Sequence, residues 1–479
     1  MSPSSPLHDC SIRELVDGEA GVPAETLVPM MTDSDSGEAL HPQRGSSPGR
    51  VEAALAGAHG THVEGVWSEL PVDDRAAAIR RLQGELASRL NELAAADSLD
   101  SGVPQTITGA LIGAVIGRLE LAATLIEKGF GHEEQISSVG ACDQWQIPWG
   151  PAAIFLPWNA ATPTAINKTA DALVAGCPII IKPSEWASHF SGPFADAVRA
   201  ALPSGVVQIV HGDRSVGEAL VGDARVAAVS YTGGVAGGTA VAEACGRQLK
   251  PVDLELSGNN PVVALPDAEP ETVVAHVVTG MLLLNGQWCA GPRRLIVPEL
   301  DADRYLTALA AMLAAVPIGV TSDPGTQLGP LAHEGHQRHI ESQLAEFEAL
   351  GCEVRRYGNL PSSKGHFAAP AVVLADKGAS LQTEVFGPVL LVRTYSDVDE
   401  AITIANDHPY GLTGYVFGND RSRARAVGHR LRAGRVTINA VLGGPPDLSP
   451  IFSMWGASGL GSIGDGQGPN FFSGFRFVG

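Results

Sequence analysis

The sequence predicts an α/β chain built on two parallel sheets, and three observations carry that reading. Unbroken apolar runs such as Ala152-Ala153-Ile154-Phe155-Leu156, Pro178-Ile179-Ile180-Ile181 and Val206-Val207-Gln208-Ile209-Val210 alternate with segments of helical period. Runs of this kind between helices mark a parallel sheet buried on both faces. The alternation restarts beyond Pro261, which puts a boundary near residues 255–265. A length of 479 residues also exceeds what one ordinary core holds.

Taken in order, residues 1 to about 48 are rich in Ser, Pro, Gly and acids with little periodicity, and residues 1–25 are expected to be mobile. From Arg50 to Leu93, apolar residues recur at three- and four-residue steps (Ile79, Leu82, Leu86, Leu90, Leu93), so helices are predicted, with another over 106–128. Residues 129–146 turn short and polar and read as irregular structure or a hairpin. The alternating section follows, with helices over 164–175, 188–202, 216–220 and 237–245, and strands over 226–230 and 252–256. In the second unit, helices are predicted over 272–284, 303–315, 334–350, 398–406 and 421–431. Its strands are expected over 294–297, 354–357, 371–374, 389–394, 414–417 and 435–439. The tail from Gly443 is dense in Gly, Pro and Phe. No repeat of 20–50 residues is apparent.

The formal charge is −20 and the pI ≈ 5.1, which argues against non-specific binding to nucleic acid or anionic lipid. Six cysteines at 10, 142, 177, 245, 289 and 352 form no CxxC pair. That excludes a zinc site or disulfide framework of ordinary spacing and suits a reducing cytoplasm. No apolar run approaches the ~18 residues of a membrane span. The nearest, Gly109 to Gly117, reads as a helix whose small face packs on a neighbour.

Chemistry gathers around Leu284-Asn285-Gly286-Gln287-Trp288-Cys289-Ala290, a cysteine in a glycine-containing turn after an apolar run. Alone it is as readily an ordinary buried cysteine. Other motifs line up with it in order: Pro157-Trp158-Asn159, Lys182-Pro183-Ser184-Glu185, Tyr231-Thr232-Gly233-Gly234 with Gly238, Glu255-Leu256-Ser257-Gly258-Asn259-Asn260-Pro261, Glu384-Val385-Phe386-Gly387-Pro388 and Pro409-Tyr410-Gly411-Leu412. Asn159 lies 9 residues before Lys168, Lys168 14 before Lys182, and Glu255 34 before Cys289. A thiolate at Cys289 adds to an aldehyde to give a thiohemiacetal, which expels hydride to a nicotinamide far more readily than the bare carbonyl does. Glu255 is the candidate base for hydrolysing the resulting thioester, and a route for the thiol proton. The plainer alternatives are a helix cap for Asn159, an ion-pair partner for Glu255 and an ordinary turn for Gly233 and Gly238.

This series resembles the aldehyde dehydrogenase superfamily, NAD(P)-dependent and hydrolytic, over nearly the whole chain from about residue 30. The resemblance implies a Rossmann-like cofactor domain, a second α/β catalytic domain and a small oligomerisation β element. Residues 26–128 and 147–254 would form the dinucleotide-binding domain and 255–440 the catalytic domain, with 129–146 and 441–479 as bridging elements. It implies Asn159 and the Cys289 backbone N–H as oxyanion donors, Lys182 and Glu185 at the adenine ribose, and Glu384 at the nicotinamide ribose with Phe386 beside it. Trp158 would serve as framework whose backbone lines the nicotinamide end, and Lys168 would sit near the site. Gly233 and Gly238 flank a turn where helix N–H groups can approach a pyrophosphate. Glu185 accepts from a ribose 2′-OH and repels a 2′-phosphate, favouring NAD while leaving NADP open. The implied partners are a small aldehyde and further copies of the chain, as homodimer or homotetramer.

The chain departs from the family pattern at Ser257, Ala160, Asn167 and Trp288, and at Ile451-Phe452-Ser453-Met454, ahead of the recognisable Ala457-Ser458-Gly459-Leu460-Gly461. These departures leave the aldehyde open. The competing readings are a CoA-acylating relative, against which Glu255 argues, and a non-catalytic member, against which Cys289, Glu255, Asn159 and Glu384 argue together.

Overall fold

The computed structural model describes residues 11–137, 140–362, 364–375, 382–442, 451–464 and 467–479. The chain opens with β1 (Glu14–Val16), β2 (Glu19–Gly21) and the hairpin β3 (Glu25–Thr32) and β4 (Ala39–Gly45). Helices α1 (Pro48–Val63), α2 (Val72–Ser88), α3 (Leu90–Ser101), α4 (Gln105–Gly117) and α5 (Leu119–Glu127) follow, then the hairpin β5 (His132–Ser137) and β6 (Gly140–Pro148). Strict alternation comes next: β7 (Ala152–Phe155), α6 (Ala161–Ala175), β8 (Ile179–Lys182), α7 (Ser191–Ala201), β9 (Val207–Ile209), α8 (Arg214–Gly222), β10 (Ala228–Thr232), α9 (Val235–Gly246) and β11 (Val252–Glu255). The second unit is β12 (Asn260–Ala264), α10 (Pro270–Leu282), β13 (Pro292–Pro298), α11 (Ala302–Ala314), α12 (Glu334–Ala349), β14 (Glu353–Arg356), β15 (Ala371–Leu374), β16 (Val389–Tyr395), α13 (Val398–Asn406), β17 (Thr413–Phe417), α14 (Arg421–Gly428) and β18 (Arg435–Ile438). The tail adds β19 (Phe452–Ser453), β20 (Gly459–Leu460), β21 (Ser462–Ile463), α15 (Gln467–Phe471) and β22 (Ser473–Val478).

The first sheet has the order β2-β1-β9-β8-β7-β10-β11-β20, and its five central strands are parallel. Strand order reverses between β7 and β10, the point in an open α/β sheet where a crevice forms beyond the carboxyl ends of the strands. The second sheet runs β14-β15-β16-β13-β12-β17-β18, and β22, β6 and β5 form a separate three-stranded sheet. Ile179, Ile180, Ile181, Ala152 and Ala153 are fully buried, as strands covered on both faces must be.

The two sheets meet end to end in an unequal way. Asn159 follows β7, Lys182 closes β8, Gly233 follows β10 and Glu255 closes β11, all at carboxyl ends. Cys289 and Glu384 instead precede β13 and β16, at amino ends of the second sheet. Ser458 joins these edges. Its hydroxyl donates to Ser257 O at 2.7 Å and accepts from Gly411 N at 3.0 Å, while its carbonyl accepts from Leu256 N.

Helix α3 is a second fastening. Asp97 accepts from Thr162 Oγ1 at 2.5 Å and from Thr162 N at 3.3 Å, tying down the start of α6. Asp100 accepts from His189 N and holds its ring. Left-handed Gly102 (φ 74°) ends the helix; a Cβ there would sit 2.2 Å from Pro330 O, so only glycine fits.

Several expectations change. The segment 1–25 is not mobile throughout: Ile12, Leu15 and Val16 are buried, and β1 pairs with both β2 and β9. Residues 1–10 lie outside those described. The hairpin of β3 and β4 was not foreseen, nor was β12, which hides in Asn260-Pro261 and carries a register shift there. The helix expected over 106–128 breaks at Arg118 into α4 and α5. Counted together, Gln105–Glu127 spans 23 residues, with an 18-residue window of mean hydropathy 1.7, longer than the apolar run read from the sequence. Its Ile112, Leu119 and Ala123 are buried in the first core. A Cβ built on Gly109 would stand 3.7 Å from the Ala94 Cβ and one on Gly113 3.9 Å from the Leu90 side chain, ordinary contact distances, while Gly117 faces open space; the small face lies against α3 without the close approach expected of it. From the tail read as bridging, β20 joins the first sheet beside β11.

Ser458→Ala removes one hydroxyl from two backbone partners, the buried Gly411 N–H and the half-buried Ser257 carbonyl. It is expected to lower stability by roughly 2–4 kcal/mol in urea unfolding monitored by circular dichroism.

Candidate active site

Helix α10 ends in a turn whose backbone is left-handed at three consecutive residues, Leu284 (φ 52°), Asn285 (φ 57°) and Gly286 (φ 76°). A left-handed leucine costs about 1–2 kcal/mol, so something must hold it. Two fully buried amides do so. Asn285 Nδ2 donates to Gly102 O at 2.7 Å and to Pro330 O at 2.8 Å, and its Oδ1 accepts from Gly329 N at 2.9 Å. Gln287 Nε2 donates to Ser101 O at 2.9 Å, and its Oε1 accepts from Ala332 N at 3.0 Å. Gly286 lies where a Cβ would come within 2.2 Å of the Gly387 backbone, so the turn is pressed against the segment bearing Glu384.

Cys289 leaves this turn with its own carbonyl accepting from Asn260 Nδ2 at 2.8 Å. Gly258 packs on the same carbonyl, where a Cβ would stand at 2.6 Å, so the stretch after Glu255 touches the nucleophile's backbone. Burial, the Glu255 carboxylate and the Glu384 carboxylate push the Cys289 thiol up to about 12, against the Ala290 backbone N–H and Arg293.

Asn159 does not cap α6. Its Nδ2 donates to Gln287 O at 2.7 Å, leaving a second N–H on the same nitrogen. Glu255 adopts the ion-pair alternative in this state: its Oε1 accepts from Lys168 Nζ at 2.5 Å, and Lys168 also reaches Asp253 at 2.8 Å. Burial alone would push the Lys168 ammonium down, but the two carboxylates outweigh it and hold it above its ordinary value.

The cofactor candidates spread along one cavity of ≈ 1200 Å³ that includes Asn159, Glu255 and Cys289 in its lining and extends between α8 and α9. The buried Lys182 ammonium donates to Pro183 O at 3.1 Å and lies 3.7 Å from Glu185 Oε1; burial lowers it. Gly233 donates to Glu255 O at 3.0 Å, and Gly238 packs under Leu256, where a Cβ would be 2.5 Å away. The space above Gly233 and Gly237 is taken by the Tyr231 hydroxyl, 2.6 and 2.1 Å from a Cβ built on each. Glu384 accepts from Gly258 N at 3.3 Å, and burial raises its carboxyl. Phe386 packs edge-on to Trp158 at 5.6 Å, and its carbonyl accepts from His336 Nε2 at 2.8 Å. His336, which burial lowers to about 4, is therefore neutral at pH 7.

Sequence reasoning missed Asn260, His336, Gly237, Arg293 and the partnership of Lys168 with Glu255. The motif Glu255 to Pro261 contains Asn260, but its use as a clamp on Cys289 depends on a contact 29 residues away. Among the described residues, no group of three or more His, Cys, Asp or Glu is disposed to hold a metal ion.

The family model described as Aldehyde dehydrogenase family matches residues 23–478. A geranial dehydrogenase of Castellaniella defragrans is 33% identical over 86% of this chain and 86% of its own length. A betaine aldehyde dehydrogenase of Rhizobium etli is 30% identical over 94% of this chain and 92% of its own. Among solved structures, a Mycobacterium tuberculosis aldehyde dehydrogenase complexed with NAD+ superposes with TM-score 0.91 at 27% identity, covering 99% of this chain and 98% of that one. A Pseudomonas syringae aldehyde dehydrogenase mutant with NAD+ and octanal gives TM-score 0.91 at 26% identity, covering 100% and 98%.

Because burial and two carboxylates raise the thiol, alkylation of Cys289 by iodoacetamide is expected to climb through the alkaline range. In Glu255→Gln the profile should move to lower pH. Mass spectrometry of the alkylated peptide at stepped pH checks both.

Proposed function

The chain belongs to the aldehyde dehydrogenase family, and from that premise we propose an NAD-dependent enzyme that oxidises an aldehyde to the free carboxylic acid. The observation that carries the reading is the convergence of Cys289, Glu255, Asn159 and Glu384 on one cavity. Its far end runs between α8 and α9, with Gly217, Val221, Gly237 and Ala240 in the lining. Such small and apolar residues suit a flat base.

The chain's own groups fit a dinucleotide. Lys182 keeps ammonium protons beyond its one hydrogen bond to Pro183 O, and with Glu185 it would hold the adenine ribose. N–H groups at the start of α9 suit a pyrophosphate, and Gly233 and Gly238 flank them; Gly238 packs under Leu256 and Tyr231 stands over Gly233, so these two glycines would shape the turn rather than face the phosphates. Glu384 would take the nicotinamide ribose, with Phe386 and the Trp158 backbone alongside. NAD, when bound, supplies the hydride acceptor. Glu185 disfavours a 2′-phosphate, so NAD is the proposed cofactor and NADP the lesser one.

The Cys289 thiolate forms a C–S bond to the aldehyde carbon while the carbonyl electrons move onto oxygen. The free N–H of Asn159 and the Cys289 backbone N–H would meet that oxyanion; losing such a donor costs ~10²–10³ in rate. Hydride leaves with the C–H electron pair and a thioester results. Water then adds to it, Glu255 takes the water proton, and the C–S bond breaks to return the thiolate. For that step Glu255 must leave Lys168, so the ion pair described above is a resting position.

On the substrate side the described lining includes Leu111 and Val115 of α4, Ala160 just before α6, Pro163 and Asn167 of α6, and Trp288. None of these is charged, and an uncharged, apolar aldehyde is the proposed substrate class. Homo-oligomerisation belongs to the same reading: Phe475 and Phe477 stand 68% and 67% exposed on the three-stranded sheet. So does a cytoplasmic location, which the five described free thiols suit.

With NAD and octanal, without CoA, the purified protein is expected to produce NADH and octanoic acid, and Cys289→Ala to produce neither. No NADH from any aldehyde in the wild type refutes the enzyme reading, and a strict need for CoA moves it to the acylating class. Glu255→Gln should accumulate an acyl-enzyme visible by intact mass while turning over at least about 10²-fold more slowly. Octanal should exceed aminoaldehydes and betaine aldehyde in kcat/KM by about tenfold or more, as expected where a buried charge finds no partner.

A further inference from the structure

Arg293 is buried to 1% exposure, yet no step above uses it. Its guanidinium spans two segments that meet beside the thiol. One Nη donates to Gly286 O at 2.6 Å and to Trp288 O at 2.9 Å, on either side of Gln287 and directly before Cys289. The other Nη donates to Gly387 O at 3.2 Å. The guanidinium carbon lies 5.6 Å over the Phe386 ring. Its Nε has no hydrogen-bond partner and stands 3.9 Å from Glu384 Oε1. Burial pushes the Arg293 guanidinium below its ordinary value, and Glu384 and Cys289 act against that. An arginine nonetheless stays protonated in a protein.

A buried cation needs a reason, because its desolvation is costly. The carbonyls of Gly286, Trp288 and Gly387 satisfy its hydrogen bonds but do not require a full charge. Two groups here do. Glu384 is a buried carboxylate, and Cys289 must become an anion to react. A neutral donor of similar shape would bridge the carbonyls equally well and leave those two anions facing one another.

We propose that Arg293 is a positioning residue: it ties the turn carrying Cys289 to the segment carrying Glu384 and supplies the positive charge that the thiolate and that carboxylate share. It touches neither aldehyde nor cofactor in this arrangement and acts through the two groups that would. The proposal rests on Cys289 as nucleophile and Glu384 as ribose holder.

The decisive measurement follows the thiol without turnover. Iodoacetamide alkylation of Cys289, read by peptide mass against pH in the absence of NAD, is compared for wild type, Arg293→Lys and Arg293→Met. NAD affinity is measured separately by quenching of tryptophan fluorescence. Arg293→Met is expected to shift the alkylation profile upward by about one pH unit and to weaken NAD binding several-fold. Arg293→Lys keeps the charge but loses the fork. It should restore the profile to near wild type while kcat stays low, because one ammonium cannot bridge three carbonyls. A purely structural arginine would lower stability and kcat in both variants and leave the profile in place, and that outcome overturns the proposal. Should Arg293→Met not fold, Arg293→Lys with Arg293→Gln decides it: a profile shifted in the neutral variant and not in the charged one supports the shared charge, and equal profiles refute it. Wild-type protein that alkylates normally but makes no NADH with any aldehyde would refute the proposed reaction, an outcome the alkylation readout keeps separate.

Discussion

Everything at the site depends on a backbone conformation that the chain does not adopt willingly. Leu284, Asn285 and Gly286 are left-handed in succession, and the cost of the leucine and asparagine is offset by polar groups buried nearby. Asn285 and Gln287 donate to carbonyls at the end of α3 and accept from the N–H groups of Gly329 and Ala332. Each amide would be expensive to bury unpaired, and each backbone group it meets would be too. The strained turn and the buried amides therefore stabilise one another, and the sulfur of Cys289 is aimed as a consequence.

That turn stands where four charged side chains gather, each largely buried. Lys168 holds Glu255, Arg293 faces Glu384, and the thiol between them is pushed toward its neutral form. Each carboxylate is thus matched by a cation on its own side of the cavity. Burial is the largest influence on the protonation of Cys289, and how far each cation answers its carboxylate adds to it. Lys168 belongs to α6 and Glu255 to β11, both of the first unit, whereas Arg293 and Glu384 belong to the second. Each unit contributes one pair.

Much of this was open to reading from residues alone. The alternation of Ile179-Ile180-Ile181 and its neighbours with helical segments located both sheets, because two-sided burial leaves a continuous apolar imprint. The stretches around Cys289, Glu255 and Glu384 were recognisable because their local spelling is distinctive. What lay hidden shares one physical cause. Strand β12 is spelled Asn260-Pro261 where an apolar run was sought, and its asparagine is spent on Cys289. Lys168 meets Glu255 across 87 residues, and Asn285 meets Gly102 across 183. Pairings of this kind leave no local period, since a buried polar group is explained only by the partner that satisfies it. The mobility expected over 1–25 failed similarly at β1, within the described residues: Leu15 and Val16 are buried, and Leu15 pairs with β9, far along the chain.

Ser458 has a consequence for how the protein is made. Its hydroxyl closes on Ser257 across 201 residues, and β20 beside it completes the edge of the first sheet next to Glu255. A ribosome adding about 5–20 residues per second therefore exposes Glu255 roughly 10–40 seconds before its lateral strand exists. Through that interval β11 is an open edge with unpaired N–H and C=O groups, which is the surface that neighbouring nascent chains on the same message can pair with. The first sheet thus depends for its closure on a segment 201 residues further along the chain, and any pause in translation between the two lengthens the exposure in proportion.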